Sequence, residues 1–257
     1  NINNKISLII GSTVTLIFIY FLIPTSYNKD IVKNNLINQI KKKYNLEVNF
    51  DGYPKYGLFP KPHYFMKGTK VIYNERKLAE ADLLKIYISP KNFFSFKNIK
   101  IKDLNFKQTE FNIGKNNYDF FEKILNSIKS ENKIFFKNSK LFYKDQYENI
   151  IFLTKISNLN FSYTDEFKQK LKAKFNIFNI PFKIKVLNDL EKRDAVIYIE
   201  SHKLRINIEN NFDYSEAGIK GLLDFKAINK KKTINYTLNK DSLNFKNSKN
   251  NFQGKVD

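Results

Sequence analysis

His63 and His202 are the side chains best suited to acid–base chemistry near neutral pH in this chain. Neither is accompanied by a carboxylate at a spacing typical of a general base and its orienting partner. The chain has no cysteine, which excludes thiol chemistry, disulfides and a Cys/His zinc site. We therefore expect both histidines to be solvated or to lie on edge strands rather than to act in catalysis.

Motifs for catalysis or cofactor binding are missing from the sequence as well. It has no Gly-x-Ser-x-Gly elbow, no Gly-x-Gly-x-x-Gly loop, no His-Glu-x-x-His pair and no Asp-rich calcium loop. Its 8 glycines leave little scope for a phosphate-binding loop, and its carboxylates are scattered through turn-like segments. The sequence predicts a protein that is not an enzyme, with no catalytic residue, no metal site and no cofactor.

The net charge of +20, from 45 basic and 25 acidic residues, suggests an anionic partner. All but three of the basic residues are lysines, and Lys, Asn, Ile, Phe and Tyr share A/T-rich codons, so codon bias explains the excess equally well. Phosphate and base-edge recognition favours the planar arginine fork, and the aromatic residues here alternate in phase with Ile and Leu, as core residues do. We therefore expect lipid rather than nucleic acid as the partner.

An uncharged run extends from Ile6 to Ile23, between Lys5 and Pro24. At about 1.5 Å per residue, a helix of this length is roughly 27 Å long, close to the hydrocarbon thickness of a bilayer. A signal peptide would need a shorter apolar region and a small-x-small cleavage site, and a buried soluble helix would have a polar face. We predict a transmembrane anchor over residues 1–24.

Residues 25–45 are predicted to form a short amphipathic helix, because Val32, Leu36 and Ile40 recur at a spacing of four. In one interpretation this helix lies on anionic head groups, to which each nearby lysine contributes about 1 kcal/mol. In the other, it caps the domain that follows. The head-group candidates are Lys33, Lys41, Lys42 and Lys43.

From residue 46 to residue 257 the hydrophobic period changes to two, as in Ile99–Phe106, which predicts half-buried strands. Roughly a dozen such strands exceed what one flat open sheet usually holds, so the sheet must curl, close or divide. We predict a mainly β domain in which a long curved antiparallel sheet forms a groove. Short accessory helices are expected over 90–96 and 118–128, and the end after a strand-like stretch suggests a truncated C-terminus.

The apolar positions of this alternation are the candidates for lining the groove. They are Leu104, Phe106, Leu141, Tyr143, Leu159, Phe161, Phe175, Ile177, Ile184, Val186, Ile197, Ile199, Ile206, Ile208, Tyr236 and Leu238. The alternative is that the same residues close a dry core between two packed sheets. An alternative of another functional class is an assembly scaffold whose sheet edge binds a polypeptide of the cell envelope by strand addition.

The order of features after the anchor resembles the N-terminal region of the AsmA family, inner-membrane-anchored proteins of Gram-negative bacteria related to bridge-like lipid-transfer proteins. The resemblance covers roughly residues 1 to 165 and rests on several weak motifs in the same order. These are a strand into a glycine at Asn45–Gly52, an aromatic-x-x-Phe-Pro element at Tyr56–Pro60, strands at Lys70–Tyr73 and Leu78–Ile86, a hydrophobic step at Asn92–Phe94, Ile99–Leu104, and a strand ending in Tyr-x-Asp at Phe136–Asp145.

The resemblance implies a single-pass protein of the bacterial inner membrane with its large domain in the periplasm. It also implies a groove for phospholipid acyl chains and a role in phospholipid transport or outer-membrane assembly. Phenylalanines stand here where the family has leucines, and glycine is scarcer. Lysines follow the apolar run more often than they precede it, and the positive-inside rule on its own would place the large domain in the cytoplasm.

Overall fold

The structure is a computed structural model that describes residues 2–73, 75–91, 93–95, 99–114, 117, 133–165, 167–239, 243–247 and 253–256. It begins with helix α1 (Ile2–Leu22), a 3-10 turn (Ile23–Ser26) and helix α2 (Lys29–Tyr44). Fifteen strands follow: β1 (Glu47–Phe50), β2 (Lys55–Gly57), β3 (His63–Tyr73), β4 (Arg76–Ile88), β5 (Ile101–Ile113), β6 (Ile134–Lys144), β7 (Ile150–Tyr163), β8 (Lys168–Ile177), β9 (Ile180–Asp189), β10 (Asp194–Ser201), β11 (Ile206–Ser215), β12 (Gly218–Ala227), β13 (Lys230–Leu238), β14 (Leu243–Asn247) and β15 (Gln253–Val256).

All fifteen strands belong to one sheet, in which β1 and β2 both pair with β3 and every later strand pairs with its neighbours in sequence up to β15. The sheet is open, since β1 stands at one end of this order and β15 at the other. The prediction of a mainly β domain after an N-terminal apolar helix is confirmed. Of the two accessory helices that were expected, 118–128 lies outside the described residues, and the described part of 90–96 forms turns.

The expectation of a purely antiparallel sheet is wrong at one position, because β5 and β6 are parallel, with Leu104 beside Ile134 and Phe111 beside Leu141. Two parallel strands need a crossover connection of a dozen residues or more. Residues 114–133 provide a connection of that length.

Helix α1 is exposed from Lys5 to Ile19 and includes most of the apolar segment Lys5–Ser26, in which a stretch of 18 residues has a mean hydropathy of 2.4. Within the described part of the chain it is the one helix long and apolar enough to cross a membrane. Large side chains such as Leu8, at 75% exposure, and Leu16, at 67%, point away from the rest of the protein. Such a surface is unfavourable in water and favourable in hydrocarbon, so the structure is consistent with a single-pass anchor.

Helix α2 begins and ends at residues that satisfy its free backbone groups. The side chain of Asn28 accepts hydrogen bonds from the N–H groups of Asp30 and Ile31. At the other end, Asn45 adopts a left-handed conformation with φ of 50° and donates its N–H to the carbonyl of Lys41. These caps fix the length of the helix at 16 residues and therefore limit the length of its apolar stripe.

That stripe consists of Val32, Leu36, Ile40 and Tyr44, all of them buried in one cluster with residues of β1, β3, β4, β5 and β6. Full burial of each such side chain contributes about 1.5–3 kcal/mol. The helix therefore caps the first part of the sheet, and the core lies between α2 and that part.

Polar contacts fix the position of α2 against the start of β5. The Gln39 side chain donates to the carbonyl of Ile99 at 2.6 Å and accepts from the N–H of Ile101 at 3.1 Å. The Tyr44 hydroxyl donates to the carbonyl of Lys102 at 2.9 Å. Because both residues bond to backbone groups, they set the register of the helix on the sheet rather than only its distance.

The alternation of side chains shifts within some strands, but the apolar side chains stay on the same face of the sheet. Gly68, Gln108 and Asn138 have positive φ angles of 59°, 51° and 51°, and they occupy corresponding positions of β3, β5 and β6, with β4 between β3 and β5. Phe106 and Phe111 are an odd number of residues apart, yet both rings lie 5.0 Å from the ring of Phe136. The left-handed residue between them thus returns the second side chain to the same face.

We expect Gln39→Ala to lower the free energy of unfolding by about 1–3 kcal/mol, because it leaves the carbonyl of Ile99 and the N–H of Ile101 without this partner. Chemical denaturation of the detergent-solubilised chain, followed by circular dichroism, measures the change. Asn38→Ala is the matched control, since Asn38 is exposed on the same turn of α2. Equal stability of the two variants would contradict the role assigned to Gln39.

Candidate functional site: an uncovered apolar sheet face

Strand pairing places apolar residues beside one another across the second half of the sheet. Leu171 faces Val186, which faces Ile197, and Ile184 faces Ile199. Residues that face each other in an antiparallel pair project to the same side of the sheet. The surface formed in this way is called the open face and consists of Leu171, Phe175, Ile177, Phe182, Ile184, Val186, Ile197, Ile199, Ile206, Ile208, Phe212, Leu223, Phe225, Ile234 and Tyr236.

The open face continues the face that carries the core. Leu104 lies beside Ile134, Ile134 faces Phe161, and Phe161 faces Leu171. Leu104 is fully buried and Phe161 is 4% exposed, whereas all residues of the open face are partly exposed. In the described part of the chain, α2 contacts β1 and β5, and no helix or second sheet packs on β8 to β13.

The opposite side of the same strands is polar. Lys172 faces Lys185 and Lys174 faces Lys183, so four lysines lie side by side there. Lys183 lies 3.5 Å from Glu200, and Lys185 lies over the ring of Tyr198 at 5.1 Å. These exposed pairs contribute little to stability and keep that side in water. The strands are therefore amphipathic, and their apolar side has no partner among the described residues.

A depression of about 220 Å³ lies on the apolar side of β8 to β11. Leu171, Val186, Ala195 and Phe212 contribute its apolar lining, and Gln169, Asn188 and Tyr214 contribute its polar lining. Ala195 has the smallest of these side chains and lies on β10, between β9 and β11, where its short side chain leaves space for the depression. The depression has room for part of a lipid-sized ligand, since complete ligand sites are usually larger.

A chain of hydrogen bonds crosses the apolar side at this depression. The Gln169 amide donates to the Tyr163 hydroxyl at 2.7 Å, the Asn188 amide donates to the Gln169 carbonyl oxygen at 2.8 Å, and the Tyr214 hydroxyl donates to the Asn188 carbonyl oxygen at 2.9 Å. We call these four residues the polar row. Burial raises the pKa of both Tyr163 and Tyr214, so their hydroxyls stay protonated at neutral pH.

A second polar contact lies further along the same side. The Tyr236 hydroxyl donates to the side-chain oxygen of Asn210 at 3.0 Å, across β12. Gly221 permits this crossing, because a Cβ atom there would lie 2.7 Å from Cβ of Phe212 and 2.7 Å from Cζ of Tyr236. The alternation pattern did not reveal Gln169, Asn188 or Asn210, since a polar residue at an apolar position resembles an interruption of the strand.

The predicted groove residues fall into different environments. Leu104, Phe106 and Phe161 lie in the closed core, because α2 and its neighbours bury that part of the face. Leu141 and Leu159 are partly buried against the core, and Tyr143 is 41% exposed. Leu238, at 39% exposure, lies at the far end of the face. The remaining candidates lie on the open face: Phe175, Ile177, Ile184, Val186, Ile197, Ile199, Ile206, Ile208 and Tyr236.

The predicted head-group lysines of α2 do not form one cluster. Lys33 donates to the carbonyl of Phe50 at 3.1 Å, and Lys43 donates to the carbonyl of Ile101 at 2.6 Å. Lys41 forms an ion pair with Glu47 at 2.5 Å, and Lys42 is exposed. The role of these lysines at a membrane stays a prediction.

Aromatic side chains connect the end of α1 to the sheet. The Tyr20 hydroxyl donates to the carbonyl of Pro90 at 2.7 Å, and the Tyr20 and Phe93 rings stack at 5.4 Å. We call this group the aromatic junction; it comprises Tyr20, Phe21, Tyr27, Phe93 and the two residues described next. The Tyr27 hydroxyl donates to the carbonyl of Phe93.

Tyr56 and Tyr64 complete the aromatic junction from β2 and β3. Their hydroxyls donate to the carbonyls of Phe21 at 2.8 Å and Pro24 at 3.2 Å, and their rings contact each other at 5.5 Å. Burial raises the pKa of Tyr56 to about 12, so it donates as a neutral phenol. Together with Tyr20 and Tyr27, these residues hold the last turn of α1 to the sheet.

Comparison with known proteins finds no family model that matches the chain and no curated protein that matches its sequence. These comparisons neither support nor exclude the AsmA resemblance. Within the described residues, no group of three or more His, Asp or Glu side chains is placed to hold a metal ion.

His63 should make stability dependent on pH. The expectation of a solvated or edge-strand residue is wrong for His63, which is 3% exposed on β3 between β2 and β4. Its burial, together with Lys85 and Lys107, lowers its pKa although the Lys61 carbonyl opposes the shift. The unfolded chain therefore binds this proton first, at a pKa of about 6.5, and stability falls as the pH drops below that value.

We expect His63→Asn to reduce the loss of unfolding free energy between pH 7.5 and pH 5.5, measured by chemical denaturation. His202→Asn is the control, because the His202 side chain is 74% exposed. A pH dependence that disappears in the control variant and persists in His63→Asn would refute this assignment.

Proposed function

We propose that this chain is a membrane-anchored, non-enzymatic lipid-handling protein of the bacterial cell envelope, similar to the AsmA family. The observation that carries the proposal is the open face, which continues a closed core across β8 to β13 without a covering element among the described residues. Apolar surfaces that extend over many residues of a protein usually mark a binding site. An anchor of membrane-span type brings this face close to a source of lipid.

The size of the open face suits an acyl chain. Strands in a sheet lie about 4.8 Å apart, so the six strands from β8 to β13 extend for about 24 Å across the strands. One leaflet of a bilayer contributes about half of the roughly 30 Å hydrocarbon core, or about 15 Å. The face is thus longer than the hydrocarbon region of one leaflet is thick, and burial of methylene groups on it contributes about 0.8 kcal/mol for each.

The polar row gives the lipid an orientation. Ester carbonyls accept hydrogen bonds, and the partly exposed side chains of Asn188 and Tyr214 bring polar groups to the border of the apolar depression. A ligand with one polar end and long apolar chains therefore satisfies both parts of the surface. A pure hydrocarbon would satisfy only the open face.

The AsmA resemblance supports a place in the inner membrane, with the large domain in the periplasm and a part in phospholipid transport or outer-membrane assembly. The envelope scaffold that binds a polypeptide at a sheet edge is the competing function. The two differ in what the purified protein carries, since a scaffold needs no lipid.

We expect Ile199→Asp to lower severalfold the amount of phospholipid that co-purifies with the full chain, because a carboxylate on the open face opposes contact with hydrocarbon. Mass spectrometry of organic extracts quantifies the lipid, and circular dichroism verifies the fold. Val196→Asp is the matched control, since Val196 lies on the same strand and projects to the polar side. Undiminished lipid in Ile199→Asp, or no lipid in the parent chain, would sink the proposal and favour the scaffold.

For the polar row, we expect Asn188→Leu to weaken binding of a pyrene-labelled phospholipid severalfold and to leave binding of a pyrene-labelled alkane unchanged. The substitution removes hydrogen bonds to Gln169 and Tyr214 while it keeps the face apolar. Asn207→Leu, an exposed position on the other side of β11, is the control. Equal effects of Asn188→Leu on the two probes would show that the row does not select polar ligands.

A further inference from the structure

Two of the most exposed aromatic side chains of the protein lie beside the end of α1. Phe94 is 79% exposed and Phe59 is 77% exposed. The Phe94 ring lies 5.2 Å from the ring of Tyr20, in the last turns of the apolar helix. Phe59 comes three residues after Tyr56, whose hydroxyl bonds to the carbonyl of Phe21. Both phenylalanines therefore flank the place where the membrane-span segment meets the sheet.

The surrounding structure holds both phenylalanines in place while leaving their rings outside. The Tyr20 hydroxyl accepts a hydrogen bond from the N–H of Phe93, directly before Phe94, and the Phe93 ring is fully buried. On the other side, Gly57 pairs with His63 and so closes the loop that presents Phe59. The exposure of the two rings is thus a property of a well-anchored surface and not of a chain terminus.

Water is an unfavourable environment for both rings. A membrane crossed by the apolar segment Lys5–Ser26 would offer them a more favourable one. Aromatic rings are enriched where a membrane meets water, because the interface accepts their apolar bodies. Lys61 and Lys91 are exposed close to Phe59 and Phe94 in sequence, and each suits an anionic head group. A bilayer therefore fits this surface in position, polarity and charge.

We propose that Phe59 and Phe94 insert into the interface of the bilayer that α1 spans, so that the sheet is seated on the membrane at three points rather than tethered at one. This inference uses the anchor but not the open face, so it stands or falls separately from lipid binding by the sheet.

Single tryptophans test the insertion directly, because the chain contains none. Phe59→Trp and Phe94→Trp are made in the full chain and reconstituted into vesicles of phosphatidylcholine and phosphatidylglycerol, with or without lipids brominated on the acyl chains. Phe178→Trp is the matched control: Phe178 is 80% exposed but lies in the β8–β9 turn, at the opposite rim of the sheet from the aromatic junction.

We expect brominated lipid to quench Phe59→Trp and Phe94→Trp severalfold more than Phe178→Trp, and to do so equally in an Ile199→Asp background. Weak quenching of both test positions, or equal quenching of all three, would overturn the proposal. Hydrogen exchange of the parent chain provides a measurement without substitutions. Protection of residues 57–63 and 93–95 should be higher in nanodiscs than in detergent, and unchanged exchange would count against insertion.

Discussion

The packing of α2 on one end of the sheet is the interaction on which the rest of the structure depends. A sheet with a continuous apolar side must cover it, and this chain has one short helix to do so among its described residues. The helix buries its stripe over the first strands and is fixed there by Gln39 and Tyr44. Since the alternation of side chains continues beyond the reach of α2, the same apolar side emerges as the open face. The core and the candidate site are thus two parts of one apolar surface, and the core ends where α2 no longer covers the sheet.

The open face differs from a core in its polar content as well as in its exposure. A dry core between two sheets would leave a chain of amide and phenol groups such as the polar row in an apolar environment. Here the row satisfies much of its own hydrogen bonding, from Tyr163 through Gln169 and Asn188 to Tyr214. Gly221 serves the same end, because it lets the Tyr236 hydroxyl reach Asn210. These polar groups therefore find hydrogen-bond partners within the sheet itself, without a covering element among the described residues.

Sequence reasoning predicted what depends on local pattern and missed what depends on long-range packing. The apolar helix and the strands of period two were predicted because the spacing of apolar residues along the chain indicates each element without knowledge of the rest of the fold. Whether Leu104 lies in a groove or in a core depends on where α2 docks, and the spacing of residues in β5 contains no information on that. The parallel pairing of β5 and β6 depends on the long connection between them. The shift in side-chain alternation at Gln108 depends on a left-handed backbone conformation that glutamine seldom adopts. Gln169 and Asn188 were missed because the hydrogen bond between them joins two strands, and the spacing of residues within one strand does not reveal it.

Register connects the anchor to the candidate site. Tyr64 faces Ile86, Ile86 faces Leu104, and through Ile134 and Phe161 the same rim of the sheet reaches Leu171. The aromatic junction lies at this rim, at the start of β3, and the polar row lies at it too, at the ends of β7, β9 and β11 and the start of β8. Under the proposed function, a lipid held by the polar row therefore has its polar end toward the rim that continues to the anchor. Under the same proposal, its acyl chains lie on the open face, farther from this rim than the polar row.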